Sequence, residues 1–470
     1  MVDADDGDEL TYREYDAAVD RVAAAFGEWL DDAPATVATL VDTRPAVGKL
    51  LFGGMRLGAT LAPLNVELDA ESLRSQVATL DADVLVCERA TAALAAEVAD
   101  CPVVSLDAPA ADGVGALDPV SGQPRSDPVA LDRDETALVL FTSGTTSEPK
   151  GVRLTVGNLL ASATASAFRL GVVPEDRWLV ALPTYHMGGL APFVRSVLYG
   201  TAVVVQREFD PQATADVVSD HGVTGVSLVP TMLKRLLDAG WVPAPSLRFV
   251  LLGGGPATTE LVDCAADRGV PVCPTYGMTE TASQIATALP ETAVDHPGTV
   301  GQPLVNTDVS VLVDGEPADP GERGELVVSG PTVTPGYLDD DQTDAAFGPH
   351  GFHTGDLGYR DADGRLWVVG RADDRIVTGG ENVAAEAVAS VIRDCPGVED
   401  AAVVGLSDEE WGQRVAALVV GDTDEATLLA CCRSGLADYE APKTVAFADS
   451  LPRTPSGTVD REAVRERLRT

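Results

Sequence analysis

The residues Phe141–Gly151 read FTSGTTSEPKG. Thr142, Ser143, Thr145, Thr146 and Ser147 crowd around Gly144, and Lys150 closes the run. Lysine is scarce in this chain: only Lys49, Lys150, Lys234 and Lys443 are present. Small residues let successive backbone N–H groups face one concavity, and such a nest binds phosphate oxygens. The hydroxyls add donors and Lys150 adds a point charge. The GxxxxGK[ST] spacing of a Walker loop is absent, and the lysine precedes a strand-like stretch rather than a helix. A polar hairpin turn explains the same composition about equally well.

Three further clusters carry chemically useful groups. TYGMTETASQ, residues 275–284, offers Tyr276 as a flat face for a base and Glu280 as an oxygen ligand for magnesium. A capped helix start explains those residues too. LLGGGPA places Gly253, Gly254 and Gly255 after an apolar run, which permits close backbone approach to a planar group or simply makes a tight turn. FHTGDLGYRDADGRLWVVGRADDR, residues 352–375, holds Asp356 in a TGD turn and Arg371 after a strand. A carboxylate there can grip ribose hydroxyls and a guanidinium can pair with oxygens of the same nucleotide. Alone, each cluster reads as ordinary structure. Together, on one chain, they specify a nucleotide site.

The elements that must position these loops alternate strand and helix. ALVLFT (137–142) and GVRLT (151–155) read as strands flanking the quoted loop, followed by an Ala-rich helix over 157–169. VTGVSLVP (223–230) is an apolar strand stopped by Pro230, and TMLKRLLDAG (231–240) is an amphipathic helix ending at glycine. SLRFVLLGGG (246–255), a helix over 257–268 and PVCPTY (271–276) continue the pattern. Such alternation predicts an α/β fold: a large N-terminal domain of helix-covered, largely parallel sheets. The texture changes near residue 370. Two short strands around RADDR, a helix over 384–394, the strands DAAVVG and AALVVG, a helix near 425–437, the strand KTVAFA and a terminal helix over 460–469 predict a small α+β domain. The expected division is 1–370 and 371–470.

Composition narrows the class. The 470 residues are 45% hydrophobic and 23% charged, which suits a globular protein of two or three domains. No apolar run reaches the roughly 18 residues of a membrane span, and the acidic start argues against a signal peptide. A cytoplasmic protein is expected. Seven cysteines form no CxxC pair, which argues against a disulfide framework or a zinc site and for buried small hydrophobes. The formal net charge of −40 is spread along the chain. It repels nucleic acid and anionic membranes, and it suits concentrated salt, where the Debye length shrinks to about 3 Å at 1 M.

FTSGTTSEPKG, LPTYHMGGL, YGMTETASQ, GELVVSGPTVTPGY, FHTGDLGY and GRADDRIVTGGENV resemble, in order, the motif series of the acyl-adenylate-forming enzymes, a superfamily of acyl-CoA ligases, adenylation domains and luciferases. The resemblance covers nearly the whole chain. It is strongest to the acyl-CoA ligase branch, and there to ligases of an aromatic acid that keeps a second, unactivated carboxylate. It implies ATP, Mg2+ and coenzyme A as the reaction's partners beside a carboxylic acid, with an acyl-AMP intermediate and a mobile C-terminal domain. By position it implies that Thr142, Ser143, Gly144, Thr145, Thr146 and Lys150 surround the ATP phosphates, and that Thr279 and Glu280 contact the α-phosphate and magnesium. Tyr276, Gly277 and Gly253–Gly255 would frame adenine, and Asp356 with Arg371 would hold the ribose. Asp373 would be the hinge. Thr378, Gly379, Gly380 and Glu381 would approach coenzyme A, and His186 the acyl pocket and pantetheine tunnel. Arg195 is the candidate for the second carboxylate, with a surface arginine on a helix as the plain alternative. Thr281, Ser283 and Gln284 are further polar candidates for the acid.

The sequence departs from that pattern at PRTPSGTVDR, where Thr458 stands in place of the lysine that reaches the carboxylate and α-phosphate. Three explanations compete: partial substitution by Arg453 or Arg461, slow but sufficient adenylation, or loss of the first half-reaction. The helical segment that usually precedes DELTYREY is also missing, which leaves the start of the chain open. Rival readings are a ligase of another aryl or fatty acid, and an acyl-AMP binding protein without turnover. Oligomeric state is not legible.

Overall fold

The computed structural model describes residues 1–470 except 31–33, 118–127, 143–148, 373, 379–380, 409–410, 438, 454–458 and 470. The chain forms two compact units, Met1–Asp308 with Val328–Phe352, and Val309–Val327 with His353–Thr470. Segments 309–327 and 353–370 therefore cluster with the C-terminal part, ahead of the sequence-based division at 370. A boundary of compactness and a pivot of rotation are different properties, so position 373 stays an expectation for the pivot.

The first unit is built on two sheets. In one, Val2–Asp3, Ala202–Val205, Arg177–Val180, Gly225–Leu228, Phe249–Leu252 and Val272–Tyr276 run parallel, and Ala286–Thr287 and Gln302–Pro303 continue antiparallel. In the other, Thr136–Thr142, Thr60–Pro63, Thr36–Leu40, Val84–Cys87, Val103–Ser105 and Gly115–Ala116 are parallel. Their β-branched, doubly buried runs are what helix-covered parallel strands require. Pro230 ends one strand and is also the first residue of the helix Pro230–Asp238, where its missing N–H is not needed. The helix Met187–Tyr199 has apolar residues on opposite sides. Leu190, Ala191 and Val194 enter the core of the second sheet, while Phe193 packs with Val180, Val203 and Val205 of the first.

The second unit contains a five-stranded sheet, Glu381–Ala384, Arg375–Thr378, Gly412–Gly421, Val398–Asp408 and Thr444–Phe447. The helices Ala385–Arg393 and Glu425–Gly435 contribute to one core and Arg461–Arg469 to another. One cysteine expectation fails here. Cys395 and Cys431 form a disulfide, brought together from 36 positions apart because they follow and lie within two helices sharing that core. Cys87 and Cys273 are buried free thiols, as expected, whereas Cys264 is exposed.

Candidate functional site

Thr136–Thr142 and Lys150–Thr155 are antiparallel neighbours, with Thr142 directly opposite Lys150. The strands on either side of the quoted loop are thus paired as the plain hairpin reading expects. That reading does not compete with the chemical one, because the pairing fixes where Lys150 starts. Ser143, Gly144, Thr145 and Thr146 lie outside the described residues.

Lys150 Nζ stands 5.1 Å from the centre of the Tyr337 ring, within range of a cation–π attraction. The hydroxyl of Tyr337 donates to Glu280 Oε1 at 3.0 Å. Glu280 is only 8% exposed, so that bond matters for a buried carboxylate. Its residue belongs to a short 3-10 turn, Thr279–Thr281, rather than to a longer helix. The Glu280 carbonyl accepts the Thr334 N–H at 2.7 Å. Among the described residues no three His, Cys, Asp or Glu side chains converge as a metal cage. One oriented carboxylate fits magnesium nonetheless, since that ion binds through one or two carboxylates, with phosphate oxygens and water completing its shell.

Tyr276 ends the strand Val272–Tyr276, half-buried beside the Gly253–Gly255 turn that ends the neighbouring strand. Gly254 has φ +75°, a conformation that glycine adopts freely. Gly277 is required for another reason: a Cβ there would lie 1.7 Å from the Ser283 carbonyl oxygen. That contact locks the turn in which Ala282 and Ser283 take φ of 52° and 117°. Ser162 Oγ donates to the Ala282 carbonyl at 2.6 Å and fixes the same turn from a helix.

Arg195 is not the surface arginine of the plain alternative. It is 1% exposed. Its guanidinium lies 4.9 Å from the centre of the Trp178 ring, and Nη2 donates to Ser283 Oγ at 3.2 Å. Nε has no hydrogen-bond partner, and no carboxylate among the described residues pairs with the group. Burial lowers its pKa, yet arginine remains charged. Ser283 is half-buried and stands in front of it. Thr281 and Gln284 are fully buried and bond within their own segment, Thr281 to Met278 and Gln284 Nε2 to Thr287 Oγ1. His186 caps the helix Met187–Tyr199, edge-on to Tyr185, and burial pulls its pKa down to about 4. It is therefore neutral at pH 7.

The second unit holds the remaining candidates. Asp356 lies in the strand Gly351–Arg360 rather than in a turn; Gly355, at φ +68°, supplies the local irregularity. Asp356 and Arg371 are cross-strand partners, with Nη1 donating to Oδ1 at 3.3 Å. Arg461 Nη2 forms an ion pair with Asp374 Oδ2 at 2.8 Å. Arg453 is paired with Asp400, also at 2.8 Å. Both proposed substitutes for the family lysine are thus engaged with carboxylates here. Thr378 is buried in the strand Arg375–Thr378 and opposite Glu381. Gly379, Gly380, Asp373 and Thr458 lie outside the described residues. Sequence reasoning missed Tyr337 and Trp178. Tyr337 ends the GELVVSGPTVTPGY motif, but nothing in its spacing joins it to Glu280, 57 residues earlier.

Residues 1–338 match the family model described as AMP-binding enzyme, and 387–458 match AMP-binding enzyme C-terminal domain. A 2-succinylbenzoate–CoA ligase of Bacillus velezensis is 36% identical over 462 residues, covering 97% of this chain and 93% of the relative. A ligase of the same name from Geobacillus kaustophilus is 44% identical over 68% of this chain and 67% of its own length. Among solved structures, o-succinylbenzoate CoA synthetase from Bacillus subtilis in complex with its acyl-adenylate intermediate has a TM-score of 0.91 at 33% identity, over 98% of this chain and 94% of that one. The Bacillus subtilis enzyme in complex with ATP and magnesium ion has a TM-score of 0.88 at 32% identity, over 99% and 95%.

Proposed function

The chain belongs to the AMP-binding enzyme family, and from that premise we propose that it is an AMP-forming acid–CoA ligase that converts 2-succinylbenzoate to its CoA thioester in menaquinone biosynthesis. The observation that carries this reading is the grouping of Lys150 and Glu280 around Tyr337, in a chain similar to succinylbenzoate ligases over nearly its whole length. The acid's carboxylate attacks the α-phosphorus of ATP, giving acyl-AMP and pyrophosphate; the thiol of coenzyme A then displaces AMP. Both steps move negative charge, so the protein's share is positioning and electrostatic stabilisation. Lys150, with the loop 142–146, holds the phosphate tail. Magnesium, when bound, neutralises phosphate charge, and Glu280 with Thr279 would hold it and the α-phosphate. Tyr276, Gly277 and the 253–255 turn frame adenine, and Asp356 with Arg371 grips the ribose.

Arg195 gives the reading its acid. A buried guanidinium without a carboxylate partner is costly, and a substrate carboxylate arriving beside Ser283 would relieve it. By the same resemblance His186, kept neutral by burial, would sit near the acyl pocket and the pantetheine tunnel. Position 373 is the pivot that lets residues 378–381 approach coenzyme A. Arg371 is tied before it to Asp356, and Asp374 is tied after it to Arg461. With Arg453 and Arg461 both paired, slow adenylation is the favoured consequence of Thr458. We also place the protein in a cytoplasm of high salt, on the strength of 73 acidic against 33 basic residues. No helix among the described residues is long and apolar enough to cross a membrane.

The test is coenzyme A-dependent AMP release over a panel of aryl, fatty and dicarboxylic acids in molar KCl. 2-Succinylbenzoate is expected to lead, and Arg195→Ala is expected to lose activity selectively on dicarboxylates. A preference for monocarboxylates, unchanged in Arg195→Ala, would remove the assigned acid; no acid-dependent AMP at all would remove the ligase.

A further inference from the structure

We propose that Tyr337 is the positioning residue of the phosphate end of the site, setting Glu280 through its hydroxyl and Lys150 through its ring. The proposal rests on the ligase reading above. Two opposite charges meet one neutral side chain: the ammonium over the ring face at 5.1 Å and the carboxylate at the hydroxyl at 3.0 Å. Tyr337 is neutral, so neither contact cancels the charge that it touches. A direct lysine–glutamate pair would cancel both. Hydrogen bonds of this kind behind a metal-binding carboxylate orient it and tune its affinity.

Tyr337 is itself held firmly. It is 3% exposed and belongs to the core around the second sheet. The strand Gly336–Tyr337 pairs with Lys150–Thr155, Tyr337 opposite Val152. Its N–H donates to Thr343 Oγ1 at 2.9 Å. Gly336 allows this approach, since a Cβ there would meet Thr343 Cγ2 at 2.4 Å. Just upstream, Thr334 donates its N–H to the Glu280 carbonyl at 2.7 Å and its hydroxyl to the Arg153 carbonyl at 2.5 Å. The strap Thr334–Tyr337 thus bonds to the strand that begins with Lys150 and to the turn that carries Glu280. The distance between the two charged groups is set through one rigid segment rather than by two independent loops.

The experiment measures ATP binding to the full chain by calorimetry, with excess magnesium and with EDTA, alongside thermal unfolding. Tyr337→Phe keeps the ring and removes the donor. It should weaken binding with magnesium about tenfold, the scale of a hydrogen bond to a charged group, and change binding in EDTA less than about twofold by the same reasoning. Tyr337→Leu removes the ring as well and should weaken both. In a Glu280→Gln background, Tyr337→Phe should add nothing further. Equal loss with and without magnesium in Tyr337→Phe, no loss at all, or additivity with Glu280→Gln would overturn the proposal. These readouts need no acid, so the magnesium pattern appearing in the variants while the wild type releases no pyrophosphate with any acid of the panel overturns the ligase reading instead.

Discussion

Replacing His186 by Gln should flatten part of the acid limb of the stability curve. The folded-state pKa is about 4, lowered by burial from 6.5. The sign follows from proton binding. Between pH 6.5 and 4 the unfolded chain takes up a proton that the folded chain refuses, so stability falls as pH falls through that window and is fully present above it. With those two values, the loss between pH 7 and pH 5 comes to about 2 kcal/mol. Because the residue is only partly buried, about 2 kcal/mol is a ceiling under solvent screening. Many carboxylates titrate nearby in pH, so only the difference between wild type and His186→Gln isolates the term. The measurement is the urea midpoint of the first unit from pH 4.5 to 8 at constant molar KCl, converted with the slope of the transition. Parallel curves for the two proteins would refute a neutral, desolvated imidazole at this helix start.

Lys150→Ala should lower the rate of pyrophosphate release by about a hundredfold or more, the scale found when a preorganised charge partner is removed, with little change in unfolding temperature because the residue is half-exposed; unchanged turnover would refute its role. Thr458→Lys should raise pyrophosphate release, and a change of less than about twofold in that assay, against the tenfold worth of one ordinary charged contact, would mean that the position does not limit adenylation. Gly277→Ala forces a methyl group onto the Ser283 carbonyl and should cost about 3 kcal/mol, read as a fall in denaturant midpoint; a midpoint equal to wild type would mean that the turn relaxes freely. Unfolding temperature should climb steeply from 0.1 to 2 M KCl as self-repulsion is screened, and a flat response would refute the high-salt setting.

The strands around the site were legible as short, largely apolar runs, some of them closed by glycine or proline. Thr136–Thr142, Lys150–Thr155 and Val272–Tyr276 fall within a residue of their sequence-based limits. What the sequence hid were pairings across long separations. Asp356 and Arg371 were named for one ligand, but their direct contact follows from strand register, which a linear reading does not supply. Arg195 could equally be read as a surface arginine on its helix. Its burial arises because that helix has core on two sides, with Trp178 arriving from the first sheet. Cys395 and Cys431 carried no motif spacing, and only the packing of two helices joins them. Tyr337 was quoted within a motif and left without a role, since a phenol's partner depends entirely on what folds onto it.

The paired anchors on either side of position 373 have a mechanical consequence. Arg371 is moored to the strand Gly351–Arg360 and Asp374 to the terminal helix, so a pivot placed between them would have little slack on either side. In the proposed rotation about position 373, the swing would fall on the backbone torsions of that one site, with the segments on both flanks moving as levers. Stiffening that one link would stall the catalytic cycle between its half-reactions and leave each of them chemically competent.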